Sequence, residues 1–246
     1  MTALAAGCGP LDVGSDLYWT ARFETGDFSE WTGQPGGQAE MFPTPPNMVA
    51  VTNGQAHQGS YSAALTITAG PDNVQENALL SRAGDLPIEG YYSAWYYLPH
   101  SVTVGTFWVL FKFRMRTNAS DPSTSGELYD MDLATLTSGE MTLQLYTHQT
   151  STVIPLDVSD PVVPVDTWFQ LEAFYRAAND ATGRLTYWLD GRQVVDLAGV
   201  PTSPTSWVEW DACSVGENLS PETETIYVDD CAISRSRVGL PGRLTE

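Results

Sequence analysis

Ten stretches of this chain alternate apolar with polar residues, or crowd aromatic and β-branched ones, as β-strands do, whereas the 3.6-residue period of an amphipathic helix is almost absent. They cover Ser60–Thr68, Tyr91–Leu98, Thr106–Arg116, Leu128–Thr135, Met141–Gln149, Thr167–Arg176, Arg184–Leu189, Gln193–Asp196, Trp207–Val215 and Glu224–Ser234. Thr137-Ser-Gly-Glu140 and Asp190-Gly191 are hairpin signals between neighbouring strands. Strands without helices to cover them must bury their apolar faces against another sheet, which predicts an all-β, two-sheet antiparallel sandwich. Nothing after residue 20 reads as a linker or repeat, and the Pro- and Gly-rich stretches Thr32–Pro46 and Pro201–Pro204 are short enough to be surface loops. With 246 residues the chain is long enough for one large β domain over 21–240, between a flexible tail at 1–20 and a short one at 241–246.

The strand over Phe107–Arg116 carries an unusual charge pattern. Strict alternation puts Phe107, Val109, Phe111, Phe113 and Met115 on a core face and Trp108, Lys112, Arg114 and Arg116 on the opposite one. Lys112 is the only lysine, and the three cations belong to a chain with 11 Lys and Arg against 30 Asp and Glu. Such a strip needs an anionic partner, either a bound ligand or the protein's own acids across the sheet. The net charge of −19 argues against nucleic acid and anionic membrane surfaces, both of which attract basic fields.

Other strands add to this face. Asp130 and Asp132 fall opposite Tyr129, Met131 and Leu133, and Gln144, Tyr146 and His148 fall opposite Met141, Leu143 and Leu145. If these sets share a sheet with the cations, they form a concave surface of the kind that holds a ligand, joined by Gln170, Glu172 and Arg176 from a further strand. Trp95 and Trp188 are candidate sugar-stacking platforms. An outward polar face is ordinary in a sandwich, but a merely solvated one is usually built of Thr, Ser and Lys.

The N-terminal Met1-Thr-Ala-Leu-Ala-Ala-Gly-Cys8 resembles the end of a bacterial lipoprotein signal, with Cys8 as the lipidated residue. On that reading the precursor is exported, to the cell surface or periplasm or by secretion, and touches a membrane only through the lipid. The alternative is a tail with an incidental cysteine. Cys213 and Cys231 then remain as a disulfide pair or as two buried thiols.

Trp168-Phe-Gln-Leu-Glu-Ala-Phe174 and Thr182-Gly-Arg-Leu-Thr-Tyr-Trp-Leu-Asp-Gly-Arg-Gln-Val-Val-Asp196 resemble the hairpin of concanavalin A-like jelly rolls. Gly59–Ala64, Tyr91–Pro99 and Ile226–Asp230 fit the same template, and within it the chain is similar to the heparin lyase I and glucuronan lyase type and its non-catalytic LamG-like relatives. The resemblance implies a jelly roll that recognises a polysaccharide, and the polar face read from alternation suits a uronate as ligand on Trp108, Lys112, Arg114, Arg116, Asp130, Asp132, Gln144, Tyr146, His148 and Glu172. The alternatives are a polysaccharide lyase acting by β-elimination and a structural or adhesive surface protein whose polar face is self-neutralised. For elimination, Tyr146 or His148 would serve as base or acid, with Arg114 and Gln144 neutralising the carboxylate. The heparin lyase I type carries Gln-aromatic-His where this chain reads Lys112-Phe113-Arg114, and a late tyrosine where it reads Ser214-Val-Gly-Glu-Asn218. Finally, Glu24 with Asp229 and Asp230 resembles the place where many carbohydrate-active jelly rolls hold a structural calcium, although a turn with a capping Asp pair reads equally well.

Overall fold

The computed structural model describes residues 16–239 apart from 33–37, 44, 73, 85, 119 and 120, so Cys8 and residues 241–246 lie outside the described residues. The strands are β1 (Leu17–Ala21), β2 (Gln38–Pro43), β3 (Met48–Thr52), β4 (Ser62–Thr68), β5 (Glu76–Ala83), β6 (Glu89–Tyr97), β7 (Thr103–Arg116) and β8 (Ser125–Thr135). They continue as β9 (Met141–Thr147), β10 (Thr152–Ile154), β11 (Val162–Val163), β12 (Trp168–Arg176), β13 (Arg184–Leu189), β14 (Arg192–Ala198), β15 (Trp207–Ser220) and β16 (Thr223–Ser234), with one α-helical turn, α1 (Ser29–Thr32), and a 3-10 turn at Pro122–Thr124.

The strands form two antiparallel sheets, as the alternating pattern predicts. Sheet I runs β14-β13-β12-β6-β16-β4-β3, with β1 also on β16. Sheet II runs β10-β9-β8-β7-β15-β5-β2, with β11 also on β9. Their facing sides supply one aromatic core: Phe113 of sheet II stacks on Tyr175 of sheet I at 4.1 Å, and Phe111 meets Tyr187 edge-on at 5.5 Å. Burying rings of this size dominates the stability of such a sandwich. The hairpins close as their turn residues require. Gly139 takes φ +87° between β8 and β9, and Asp190 and Gly191 take φ +48° and +74° between β13 and β14.

Three expectations need correction. β1 begins at Leu17, inside the stretch expected as a tail, and pairs with β16. Trp108 does not extend the cation row. The β7–β8 register slips between Val109 and Phe111, so Leu110 is an extra residue and the alternation changes phase there. Trp108 is therefore in the main core, with its indole N–H donating to Ser214 Oγ at 2.9 Å, while Val109 joins Leu79, Cys213 and Val215 in a small apolar cluster. The disulfide is not formed either. Cys231 belongs to the main core and Cys213 to that separate cluster, and both are buried free thiols.

Candidate functional site

On the outer face of sheet II the register sets acids and bases side by side. Lys112 on β7 lies between Asp211 on β15 and Asp130 on β8, and the row continues to Tyr146 on β9 and Val153 on β10. One step along, Arg114 lies between Glu209 and Glu127. Cross-strand neighbours of opposite charge attract, so the strip of cations meets the protein's own acids.

The Arg114 end is closed. Glu209 is buried, accepts from Arg114 Nη1 at 2.8 Å, Arg116 Nε at 2.6 Å and Ser125 Oγ at 2.6 Å, and also receives Ser81 Oγ at 3.1 Å. Arg116 is 1% exposed. Asp211 is buried beside this cluster, and burial together with the charge of Glu209 raises its carboxyl to about 7. Arg114 and Arg116, expected to reach a ligand, are instead turned onto Glu209.

At the Lys112 end the face opens into a cleft of about 400 Å³ lined by Lys112, Asp130, Asp132, Gln144, Tyr146 and His148, together with Glu127, Phe107, Gln75, Thr106 and Val153. Lys112 Nζ donates to Glu127 Oε1 at 2.7 Å and lies 3.6 Å from Asp130 Oδ2. Burial would lower its pKa, but Asp130 and Glu127 outweigh that and hold it above the ordinary lysine value. His148 Nε2 is 2.8 Å from Asp130 Oδ2 and its Nδ1 is 3.4 Å from Glu127 Oε2; the bond to Asp130 raises its pKa. Tyr146 packs edge-on against His148 with ring centroids 5.0 Å apart. Burial pushes Asp132 well above the usual carboxylate range, and the charge of Asp130 adds to this.

Glu127 escaped sequence reasoning because β8 carries its own bulge. Phe113 pairs with Tyr129 and Arg114 with Glu127, which leaves Leu128 as the extra residue and brings Glu127 to the face of Asp130. Glu172 stands elsewhere. It belongs to β12 in sheet I, on whose outer face its carboxylate accepts from Arg237 Nε at 2.8 Å and the Val238 N–H at 2.6 Å. Gln170, one step along, donates to Ser93 Oγ and to the Gly239 carbonyl, so residues 237–239 strap that face. Arg176, on the same strand, pairs with Glu89 at 2.7 Å. The two tryptophans proposed as platforms are also in sheet I: His57 stacks on Trp95 at 3.7 Å and the Arg237 guanidinium lies 4.2 Å over Trp188.

The expected calcium residues form a loop clamp. The Glu24 carboxylate accepts the N–H groups of Ser60 and Tyr61 at 2.9–3.0 Å, in space that a Cβ on Gly59 would fill. Asp229 accepts from the His57 N–H at 2.8 Å, and Asp230 pairs with His57 Nδ1 at 2.6 Å and lies 3.5 Å from Arg22. Calcium needs several oxygens turned to one point, whereas these face N–H donors, so the residues as placed do not fit the ion. Among the described residues no group of three or more His, Cys, Asp or Glu could hold a metal.

The fold is a two-sheet jelly roll, and solved structures of the same fold include polysaccharide lyases. Among solved structures, the chain is similar to the endo-β-1,4-glucuronan lyase of the fungus Trichoderma reesei, with TM-score 0.61 and 12% identity over 80% of this chain and 90% of that one. It is also similar to alginate lyase Aly36B bound to an alginate trisaccharide, with TM-score 0.60 and 13% identity over 91% and 100% of the two chains. The alginate lyase of Aplysia kurodai gives TM-score 0.58 and 11% identity over 90% and 100%. A further Aly36B structure, with a lysine and a tyrosine replaced by alanine, holds an alginate tetrasaccharide. No protein-family model matches the chain, and no curated protein sequence does.

Proposed function

We propose that this protein recognises a uronate-bearing polysaccharide in the cleft of sheet II. The observation that carries the reading is the convergence of Lys112, Asp130, Asp132, Gln144, Tyr146 and His148 from three adjacent strands on one open cleft, while the neighbouring charges are closed off on Glu209. Rigid strands hold these groups in register, and the mixture of amide, phenol, imidazole and carboxyl groups suits the hydroxyls and carboxylates of a sugar chain. Calorimetric titration with alginate, glucuronan and pectate oligosaccharides tests it. Binding of one of them that is lost in Gln144→Ala supports the reading, and no binding to any glycan across an array removes it.

A second reading, β-elimination, is favoured by Tyr146 beside His148. In that reaction a base takes the C5 proton, an acid protonates the leaving O4, and a C4–C5 double bond forms. While Asp130 and Glu127 hold Lys112 charged it serves as a cation, which leaves Tyr146 and His148 to move the protons. Growth of far-ultraviolet absorbance on incubation with a polyuronate, abolished by Tyr146→Phe, would establish the enzyme. Binding without that growth leaves the recognition reading alone.

A further inference from the structure

Two buried carboxyl groups face the same cleft from alternate positions of β8, and their surroundings differ. Asp130 has the cations: Lys112 lies opposite it across β7, and His148 Nε2 is 2.8 Å from it. Asp132 has none. Its partner on β7 is Val109, which packs with Leu79, Cys213 and Val215 and against Phe107, and its partner on β9 is Gln144. Asp132 is 7% exposed, and its Oδ1 has no hydrogen-bond partner although the residue lines the cleft. An unpaired carboxylate between an apolar cluster and a like charge is the costly arrangement, and the group avoids it by keeping its proton.

We propose that Asp132, acting as a neutral carboxyl, is the residue that selects a carboxylate-bearing sugar, donating its O–H to the ligand's carboxylate beside the Gln144 amide. This rests on the cleft being the polysaccharide site. An O–H to O⁻ hydrogen bond is short and charge-assisted, and Asp132 supplies it without adding positive charge to a strongly acidic protein. An anionic sugar can thus be held here even though Arg114 and Arg116 are committed to Glu209. A neutral sugar offers the same donor only a hydroxyl, a weaker acceptor, and so loses most of the gain.

The proton makes recognition dependent on pH. Asp132 lies well above the usual carboxylate range, so affinity is full at low pH and is lost as pH rises through the titration of Asp132. The other charged or titratable groups on this face are Lys112, Arg114 and Arg116 on β7, Glu127 and Asp130 on β8, Tyr146 on β9 with His148 just beyond its end, and Glu209, Asp211 and Cys213 on β15. His148, whose pKa is also raised, would weaken anion binding in the same direction as it deprotonates. A second variant separates the two.

The experiment titrates alginate and glucuronan oligosaccharides, and the same polymers after carboxyl reduction, into wild type, Asp132→Asn and His148→Gln at pH 5, 7 and 9, with melting temperatures as the folding control. Wild type should bind the native polymers at least tenfold more tightly than the reduced ones and lose about tenfold or more between pH 5 and 9. Asp132→Asn, which donates from an amide at every pH, should lose most of that pH dependence, and His148→Gln should keep most of it. An unchanged pH profile in Asp132→Asn, or equal affinity for native and reduced polymers, overturns the inference while the cleft remains a glycan site. No binding of any polymer by wild type at any pH overturns both.

Discussion

Around Glu209 the outer face of sheet II is sealed, with two guanidinium groups and two hydroxyls meeting one buried carboxylate. One step along the same strands, around Asp130, similar residue types line open space. Both ends use acids and bases on neighbouring strands, and the register of β7 with β8 and β15 makes both possible. The difference lies in valence. Glu209 is shared by two arginines and leaves nothing to offer a ligand, whereas the cleft holds an acid with no cation, an amide, a phenol and an imidazole. Charge pairing by itself therefore does not mark a site; unsatisfied polar groups beside open space do.

The largest effect should come from the sealed end. Glu209→Ala leaves Arg114 and Arg116 without their carboxylate in a buried setting, and breaking such a cluster on one side costs about 3–5 kcal/mol. Urea denaturation measures this directly. A loss under about 1 kcal/mol would mean that the cluster is not structural and that the contrast between the two ends is mistaken.

Next is the pH response of stability. The Asp211 carboxyl is raised to about 7 by burial and by Glu209, so the folded protein keeps a proton that the unfolded chain releases near the ordinary aspartate value. The stability this group contributes is therefore complete at acid pH and declines as pH rises towards 7, at up to about 1.4 kcal/mol per pH unit. Asp211→Asn should flatten that slope in denaturation curves taken from pH 4.5 to 8. An identical slope in the variant would place the titration elsewhere.

Which residues met in the cleft was legible wherever alternation is unbroken. Asp130 with Asp132, and Gln144 with Tyr146 and His148, come to one face because β8 beyond Tyr129 and β9 keep regular register. It failed at the bulges. Leu110 turns Trp108 into the core and Leu128 brings Glu127 out, and a bulge has no fixed residue signature in this stretch. Alternation also assigns a side chain to a face of its own strand without saying which sheet the strand joins, so the pattern by itself groups Glu172 of sheet I with residues of sheet II. The β5 segment, Glu76-Asn-Ala-Leu-Leu-Ser-Arg-Ala83, has few β-favouring residues and is a strand because it is held between β2 and β15.

A smaller effect is expected at the boundary between the two ends. Arg114 is partly exposed and gives one of its donors to Glu209, which Arg116 still neutralises when Arg114 is removed. Arg114→Ala should cost roughly 1–2 kcal/mol of stability, less than breaking Glu209 itself. It should leave glycan affinity unchanged, because its partner lies outside the cleft. A tenfold fall in affinity with intact folding would return Arg114 to the ligand and blur the division.

The smallest effect on stability, and the sharpest separation of the two ends, belongs to Tyr146. Its ring packs edge-on against His148 and it lines the cleft, and the main core does not include it. Tyr146→Phe keeps the ring and removes only the hydroxyl, so unfolding free energy should stay within about 0.5 kcal/mol of wild type. Affinity for the bound polyuronate should fall about tenfold, the equivalent of one lost hydrogen bond of about 1.4 kcal/mol. Denaturation and calorimetry on the same preparation give both numbers. A variant that loses stability but not affinity would make the phenol part of the scaffold, and the cleft would then differ from the Glu209 cluster only in its exposure.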